Sequence, residues 1–433
     1  MRWRSALILF AGLLFASVAH AQLAITHVTV IDTTGGPPRA DVTVVIRDGR
    51  IASIESSVPA GMKGIDGRGK FLIPGLWDMH VHLSWTKESA LRVLIANGVT
   101  GVRDLGGKVG EIDEWRTKIG AGLLVGPRIF RVGPILNGQK FNQYQMVPGN
   151  PDETRGVVRA LKQVGVDFIK VHRRMQRDSY FAAIDEAKKQ GLPLVGHIPM
   201  TVTPEEASDA GQATVEHVVT IFEGTFSAAL KEGELLAAMQ RWRAQDADKL
   251  LARFVKNHTV VDPTLVAYSP EFDPSGPLSR YVALSFRNEA EKRPKPSPAE
   301  LEGSRTTFAE FKEVVRAMNR AGVTMLTGSD IASARVPGFT LQEELALLVE
   351  SGLTPLQALQ AATLNPARVL NRSDDYGSVD AGRIADLVLL DANPLDDIHN
   401  TQRIYAVISG GRLFRRADLD TLLREAEEMA KHE

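Results

Sequence analysis

The middle of the chain repeats one pattern, a short apolar run followed by a longer amphipathic stretch. Each run has the length of a β-strand, and most of the stretches between them have the apolar spacing that indicates a helix. Eight runs are found: one ends at His82, and the others span residues 99–104, 128–132, 166–171, 193–197, 213–217, 260–264 and 323–330. Repeated strand-then-helix units predict an α/β fold with a parallel sheet, and eight of them fit a (β/α)8 TIM barrel over residues 74–375.

Both ends of the chain have a different pattern of apolar and turn-forming residues. Short β-like runs separated by turn signals such as Asp48-Gly49 and Gly410-Gly411 occupy residues 22–73 and 376–415. Because two similar segments flank an unlike middle, we expect one small β-sandwich domain built from both chain ends. Residues 416–433 are expected to form a C-terminal helix.

The first 21 residues have the pattern of a targeting segment. Arg2 and Arg4 precede an apolar core at residues 6–18, and Ala19-His20-Ala21 has the small-x-small pattern of a signal-peptidase site. The core is too short to span a bilayer. We therefore expect a cleavable signal peptide cut after Ala21 and a secreted or periplasmic protein that leaves the membrane after cleavage. An uncleaved anchor is the alternative.

Residues 268–301 interrupt the alternation of strands and helices after the seventh strand. This stretch is rich in Pro, Ser and charged residues and is too long for an ordinary connection. Loops after barrel strands lie on the active-site face. The stretch is therefore interpreted as a lid or substrate-binding insertion, with a solvated surface excursion as the alternative.

Composition and charge narrow the class of protein. The 433 residues are 44% hydrophobic and 24% charged, which is ordinary for a globular protein. With a formal net charge of -1, no overall field recruits nucleic acid or an anionic membrane, and a small-molecule substrate is the expected partner. A homo-oligomer is compatible with the sequence. Without cysteine, a transition-metal site must use His, carboxylate or modified side chains.

Two histidines, His80 and His82, end the first barrel strand. On a strand, side chains at i and i+2 point to the same face, so the two imidazoles project together at its C-terminal end. Such a pair suits a cation that prefers nitrogen and oxygen ligands. Taken alone, it fits equally well two unrelated histidines on a half-buried strand.

Four further polar residues strengthen the metal interpretation, because each lies at or near the end of another predicted strand. A lone His, Lys or Asp at such a position is commonly structural. However, the C-terminal ends of barrel strands converge on one mouth, where such barrels carry their active sites. The four residues, on strands four, five, six and eight, are Lys170, His197, His217 and Asp330.

This set resembles the amidohydrolase superfamily, which has His-x-His on strand one, Lys on four, His on five and six, and Asp on eight. The flanking segments, residues 71–82 and 382–390, are also similar to the family's passage between its β-domain and its barrel. The motif Gly98-Val-Thr-Gly-Val-Arg-Asp104 and the lysine are most similar to the binuclear, prolidase-like and imidazolonepropionase-related branch. The resemblance covers residues 22–415.

The resemblance implies two divalent ions, with zinc as the default metal, bridged by Lys170 as a carbamate. The first ion would have three protein ligands besides this bridge, and the second would have two. These ligands are His80, His82 and Asp330 for the first ion, and His197 and His217 for the second.

The resemblance also implies amide hydrolysis by a hydroxide bridging the two ions, with Asp330 as proton shuttle. The expected substrate is a dipeptide, a C-terminal amino acid of a small peptide, or an N-acyl amino acid. Hydrolysis of a cyclic amide, lactone or urea by the same centre is the enzymatic alternative. A non-catalytic metal-binding barrel is the alternative from another class.

Substrate contacts are less well indicated. Arg103, Arg173 and Tyr268 are candidates, because each lies at or just after the end of a predicted strand. Arg103 could equally form a structural ion pair. His172, two residues after Lys170, is expected to be a loop or packing residue. The sequence after Lys170 lacks the Gly-rich turn common in the branch, which leaves the substrate open.

Overall fold

The computed structural model describes residues 22–57, 64–224, 234–273, 275–292, 294–331 and 335–433. The predicted signal peptide, residues 1–21, lies outside the described residues. Among the helices of the described ranges, none is both long and apolar enough to cross a bilayer.

Seven parallel strands and one irregular segment enclose the barrel. In order, barrel strands 1 to 7 are Leu76–Val81, Val99–Asp104, Arg128–Arg131, Ile169–Val171, Leu194–Gly196, Thr214–Glu216 and Val260–Asp262. Strands 1 to 3 pair in one sheet and strands 4 to 7 pair in another. A hydrogen bond joins the two sheets, from Asp167 N to Arg131 O at 2.8 Å. Two short strands after the third, Ile135–Leu136 and Gln145–Met146, extend the second sheet.

The eighth predicted strand, residues 323–330, closes the barrel without forming a regular strand. It makes isolated parallel bridges, Val261 to Met325 on one side and Val81 to Ile331 on the other. The prediction of a continuous strand is therefore corrected. Asp330 has a φ of 46°, which lies outside the β region and breaks the extended conformation at the barrel mouth.

Helices alternate with the barrel strands and cover them. Local sequence explains several boundaries: Asn150 accepts a hydrogen bond from Glu153 N, Pro151 occupies the first turn, and Gly165 ends the helix in a left-handed conformation. The α-helices are Leu83–Thr86, Ser89–Ala96, Val109–Gly120, Pro151–Val164, Arg177–Lys189, Pro204–Ala210, Thr220–Glu223, Leu235–Gln245, Ala247–Asn257, Leu284–Glu291, Pro298–Ala321, Phe339–Glu350, Pro355–Ala361, Leu364–Val369 and Arg416–Ala430. The 3-10 helices are Leu265–Tyr268, Pro277–Tyr281 and Ile398–Gln402.

Strands from both chain ends form one eight-stranded sheet. Seven lie in the order Arg412–Arg415, Ile404–Ser409, Leu387–Leu390, Phe71–Pro74, Leu23–Val30, Arg39–Arg47 and Arg50–Glu55, and Gly64–Asp66 pairs with Leu23–Val30. The two ends meet where Phe71–Pro74 runs antiparallel to Leu387–Leu390. Because Phe71–Pro74 leads directly into barrel strand 1, this pairing anchors the strand that carries His80.

The insertion after strand 7 is shorter than predicted and is packed. Ser297 and Glu300 form a capping box, so the helix Pro298–Ala321 begins before the predicted end of the insertion at residue 301. Tyr281 and Val282 share a hydrophobic cluster with Ala426 of the C-terminal helix. The middle of the insertion is therefore held against the C-terminal helix.

Candidate active site

His80, His82 and Asp330 form the centre of the predicted site. Asp330 Oδ1 lies 3.5 Å from Nε2 of His80 and 3.5 Å from Nε2 of His82. The two histidines reach it together because they alternate along one strand, and Asp330 N donates to His80 O at 2.8 Å, which ties the eighth segment to the first. Ligand atoms of the three residues lie within 4.8 Å of one another.

Lys170 reaches the same centre from strand 4. Its Nζ lies 3.1 Å from His80 Nε2, and the side chain is buried. Burial lowers the pKa of Lys170 to about 8, because desolvation disfavours the ammonium form and outweighs the nearby carboxylates of Glu216 and Asp330. Burial therefore makes the neutral amine more accessible near physiological pH than it is in a solvated lysine.

His197 and His217 complete the predicted set from strands 5 and 6. Their ring centroids are 4.8 Å apart, and the His217 ring lies 4.6 Å from that of His80. Nδ1 of His217 is 2.6 Å from Oγ1 of Thr264. This contact leaves Nε2 of His217 available to a ligand. The structure thus brings together all six predicted ligands around His80.

Protonation states favour cation binding at this cluster. Burial lowers the pKa of His80 and of His197 well below the usual range and lowers that of His217 to about 4. Burial opposes ionisation of Asp330, but its histidine neighbours outweigh that effect and hold its pKa well below the usual range. Neutral imidazoles beside a carboxylate leave lone pairs for a positive ion.

The donor geometry fits a divalent metal. Two ligand atoms about 2.1 Å from a tetrahedral ion are about 3.4 Å apart, close to the 3.5 Å that separates Asp330 Oδ1 from Nε2 of each strand-1 histidine. In addition, Nδ1 of His197 is buried with no hydrogen-bond partner among the described residues. Nitrogen and oxygen donors of this kind suit zinc and related ions.

Arg103 does not reach the barrel mouth. It is fully buried, and its guanidinium donates to Met79 O at 2.7 Å, to Thr214 Oγ1 at 2.9 Å and to both carboxylate oxygens of Glu216 at 2.9 Å. The prediction of a substrate contact is therefore corrected, because these donors already have protein partners beneath the histidines. Arg103 instead forms a buried ion pair with Glu216, which is the structural alternative given above.

A second acidic group lies below the predicted ligands. His80, Glu216 and Asp262 also offer ligand atoms within 4.8 Å of one another. However, Arg103 is 2.9 Å from Glu216 and 3.7 Å from Asp262, so a guanidinium already supplies the positive charge there. Glu216 and Asp262 therefore lie beneath the proposed ligands and near Arg103.

Arg173 and Tyr268 both lie near the mouth. Arg173 Nη1 donates to Glu223 Oε1 at 2.9 Å, and its side chain is 41% exposed. The Tyr268 ring is 6.0 Å from that of His217. Burial raises the pKa of Tyr268 well above its usual value, so its hydroxyl stays protonated and can donate.

Two aromatic residues beside the ligands, Trp85 and Tyr144, were not singled out by their sequence pattern. Trp85 stacks on His82 with ring centroids 4.4 Å apart, and Tyr144 stacks in turn on Trp85 at 5.5 Å. His172, expected to be a loop or packing residue, has its ring 4.2 Å from that of His197. Its position two residues after Lys170 was the available signal for this proximity.

The chain matches one protein-family model and several known proteins. Residues 71–414 match the model of the amidohydrolase family. The ochratoxinase of Aspergillus niger is 25% identical over 475 aligned positions, covering 93% of this chain and 89% of that protein. An imidazolonepropionase of Shouchella clausii is 33% identical over 120 positions, or 24% of this chain and 26% of that protein.

Solved structures extend the similarity over nearly the whole chain. A bottromycin amidohydrolase is 25% identical and superposes with a TM-score of 0.80, over 94% of this chain and 90% of that one. A Xaa-Pro dipeptidase crystallised with bound methionine shares the fold at 21% identity and a TM-score of 0.70, over 91% of this chain and 100% of that one. The predicted barrel and family are confirmed. With six ligand-type residues at the barrel mouth and the family match over residues 71–414, this chain belongs to the amidohydrolase family and is a hydrolase acting on carbon–nitrogen bonds.

Proposed function

We propose that this chain is an exported two-metal amidohydrolase that cleaves an amide bond in a small substrate. The expected substrate is a dipeptide, a C-terminal amino acid of a small peptide, or an N-acyl amino acid. The observation that carries the proposal is the position of Lys170 Nζ, 3.1 Å from Nε2 of His80 and thus beside the His80–Asp330 contact. A lysine there can complete a two-ion centre only after it becomes anionic.

The ligands divide into two groups around Lys170. When bound, two divalent ions, zinc by default, would supply a Lewis acid for the substrate carbonyl and would make water a competent nucleophile near neutral pH. The residues that would hold them are His80, His82 and Asp330 for the first ion, and His197 and His217 for the second.

Lys170 would bridge the two groups as a carbamate. An ammonium group has no lone pair, so the unmodified charged lysine cannot be a ligand. The neutral amine can add to carbon dioxide: the N–C bond forms as one C–O π bond breaks, one N–H proton passes to solvent, and an anionic pair of oxygens remains. The lowered pKa of Lys170, about 8, favours the neutral form that this addition requires.

Asp330 is the proposed proton carrier. Its low pKa keeps it anionic, so it can accept a proton from the attacking water. It would then return this proton to the nitrogen of the leaving amine. The protonated hydroxyl of Tyr268, beside His217, can donate to the substrate carbonyl oxygen.

Arg173 is the proposed contact for a substrate carboxylate. Its guanidinium is partly exposed, and its hydrogen bond among the described residues, from Nη1 to Glu223, leaves its other donors for a carboxylate. A dipeptide or an N-acyl amino acid carries such a carboxylate beside the amide. The similarity to the bottromycin amidohydrolase at 25% identity supports amide cleavage over the lactone alternative.

Export is proposed from the pattern of residues 1–21. If it is correct, the mature protein isolated from its host begins at Gln22. Mass spectrometry of the intact protein measures this directly, and retention of Met1 would contradict it.

Metal analysis combined with a substrate screen tests the activity. The protein is purified with bicarbonate and zinc and assayed against dipeptides and N-acyl amino acids. We expect two ions per chain and turnover that a chelator abolishes and zinc restores. Turnover of lactones, cyclic amides or ureas alone would favour the alternative substrate class. Absence of both metal and turnover would contradict the proposal.

A further inference from the structure

The two ring nitrogens of His80 face different surroundings. Nε2 lies 3.1 Å from Lys170 Nζ and 3.5 Å from Asp330 Oδ1, on the side of the proposed metal centre. Nδ1 is buried and lies 3.4 Å from Oε2 of Glu216, with no hydrogen-bond partner of standard geometry among the described residues. A neutral imidazole carries one proton, so the environment of Nδ1 helps to decide whether Nε2 has a lone pair.

Glu216 is held rigidly in this position. Both of its oxygens accept from Arg103 Nη2 at 2.9 Å, and Oε1 also accepts from the hydroxyl of Thr214. Arg103 is itself fixed by its bond to Met79 O at 2.7 Å. Arg103 donates to both oxygens of Glu216 and Thr214 donates to one of them, so the carboxylate takes part in this network as a hydrogen-bond acceptor.

We infer that Glu216, held by Arg103, places the proton of His80 on Nδ1 and so directs the Nε2 lone pair toward the metal centre. An acceptor facing Nδ1 favours the tautomer with the proton there. The opposite tautomer would put a hydrogen on Nε2 and remove its ligand lone pair. Glu216 and Arg103 are thus positioning residues for metal binding. The inference rests on the proposed function, since it requires a metal centre at His80.

The change of backbone direction at the end of strand 6 lets one segment serve both purposes. Glu216 is the last residue of this strand, and His217, which follows it, has a φ of 68° outside the extended region, so the two side chains leave the backbone in different directions. His217 reaches the cluster of ligands, whereas Glu216 reaches the opposite nitrogen of His80. Strand 6 therefore contributes one proposed ligand and the group that orients another.

The substitution Glu216→Gln tests the inference sharply. The amide oxygen is expected to take the place of Oε1, which accepts from both Arg103 and Thr214. The NH2 group would then face Nδ1 of His80 as a donor and favour the wrong tautomer. We expect zinc affinity to fall about 10–100-fold, the usual effect of losing such a partner of a ligand histidine. Competition with a chromophoric chelator measures it on the full chain.

Glu310→Gln is the matched control. Glu310 is another buried carboxylate that binds an arginine, Arg243, through both oxygens at 2.7 and 3.3 Å, but it lies on the helix Pro298–Ala321. We expect this variant to lower the melting temperature while zinc affinity stays within twofold of wild type. If Glu216→Gln also bound zinc with wild-type affinity, Glu216 would be a structural residue and the inference would be overturned.

Two further measurements separate the possible failures. Nitrogen-15 NMR of histidine-labelled, metal-free protein reports the His80 tautomer directly: we expect the proton on Nδ1 in the wild type, and a proton on Nε2 would overturn the inference. A wild-type chain that binds no zinc would instead contradict the proposed function. If Glu216→Gln does not fold, Arg103→Lys is the second variant. It keeps the positive charge but loses the guanidinium that donates to both oxygens of Glu216. Unchanged zinc affinity in that variant would likewise overturn the inference.

Discussion

Thr264 Oγ1 and His217 Nδ1 are joined by a contact of 2.6 Å, and both residues have left-handed backbone conformations, with φ of 46° and 68°. Such conformations are costly for residues with a β-carbon and concentrate at functional sites. Asp330, with φ of 46°, is a third example. Three of the ten non-glycine residues with positive φ in the described ranges therefore lie at the barrel mouth, two of them proposed ligands.

Replacing Thr264 by Ala should weaken metal binding at His217. The substitution removes the oxygen that orients this imidazole, and loss of such a partner typically costs about 10–100-fold in metal affinity. Zinc titration of the purified variant measures the effect. Thr264→Ser, which keeps the hydroxyl, is the control and should bind zinc nearly as well as wild type. Equal affinity in the Ala variant would show that the contact does not orient the ligand.

Replacing Lys170 by Ala should reduce both metal content and activity. The proposed bridge between the two groups of ligands would be lost, while the five other proposed ligands remain. Short-chain carboxylic acids should restore part of the activity, because their oxygens can occupy the space of the carbamate. Metal analysis and an activity assay, each with and without propionate, provide the two measurements. Unchanged metal content in the variant would exclude Lys170 as a bridge.

The recovery of metal-stripped protein should depend on pH through Lys170. The neutral amine is the form that reacts with carbon dioxide, and burial lowers its pKa to about 8. At a fixed concentration of dissolved carbon dioxide, the rate of reactivation by zinc should therefore rise with pH and level off above about 8. A rate that continued to rise toward pH 10 would indicate an ordinary, solvated lysine.

Replacing Asp330 by Asn should abolish turnover and leave the fold intact. The amide cannot accept and return a proton, and loss of general acid–base catalysis typically costs about 10²–10⁴-fold in rate. Steady-state kinetics at saturating zinc and a circular dichroism melt give the two readouts. Turnover within a few-fold of wild type would exclude Asp330 as the proton carrier.

Replacing Gly328 by Ala should disturb the centre through packing alone. A β-carbon there would lie 2.3 Å from Asp262 Oδ2 and 2.5 Å from the His80 β-carbon. Overpacking of this kind costs about 1–3 kcal/mol, and displacement of His80 should also weaken metal binding. Gly303→Ala, in the helix Pro298–Ala321 and with open space at its β-carbon, should instead stabilise by about 0.5–1 kcal/mol. Chemical denaturation compares the two, and equal stability would contradict the packing argument.

The period of apolar residues predicted most of the barrel, because buried parallel strands and their covering helices have distinct patterns. Positions of the ligands followed from the same pattern, since alternation places His80 and His82 on one face and the barrel brings all strand ends together. The eighth segment was an exception. Its apolar run predicted a strand, but the chain bends at Asp330 and forms only isolated bridges.

Arg103 shows where the sequence pattern was insufficient. Its position near the end of strand 2 predicted that it lies near the barrel mouth. The sequence pattern did not predict how deep inside the barrel its guanidinium lies. Depth depends on the stagger between strands, and that stagger sets the Arg103 guanidinium against Glu216 beneath His80. His172 is similar, because its contact with His197 depends on how two loops meet.

The sequence by itself determined the fold class and the six candidate ligands, because each depends on residue type and on periodicity along one strand or helix, and the resemblance of its motifs indicated the family. Only the tertiary structure decided which side chains support those ligands. The Glu216 contact with His80 and the Thr264 contact with His217 join different strands or the loops that follow them, and such contacts arise only when the barrel closes.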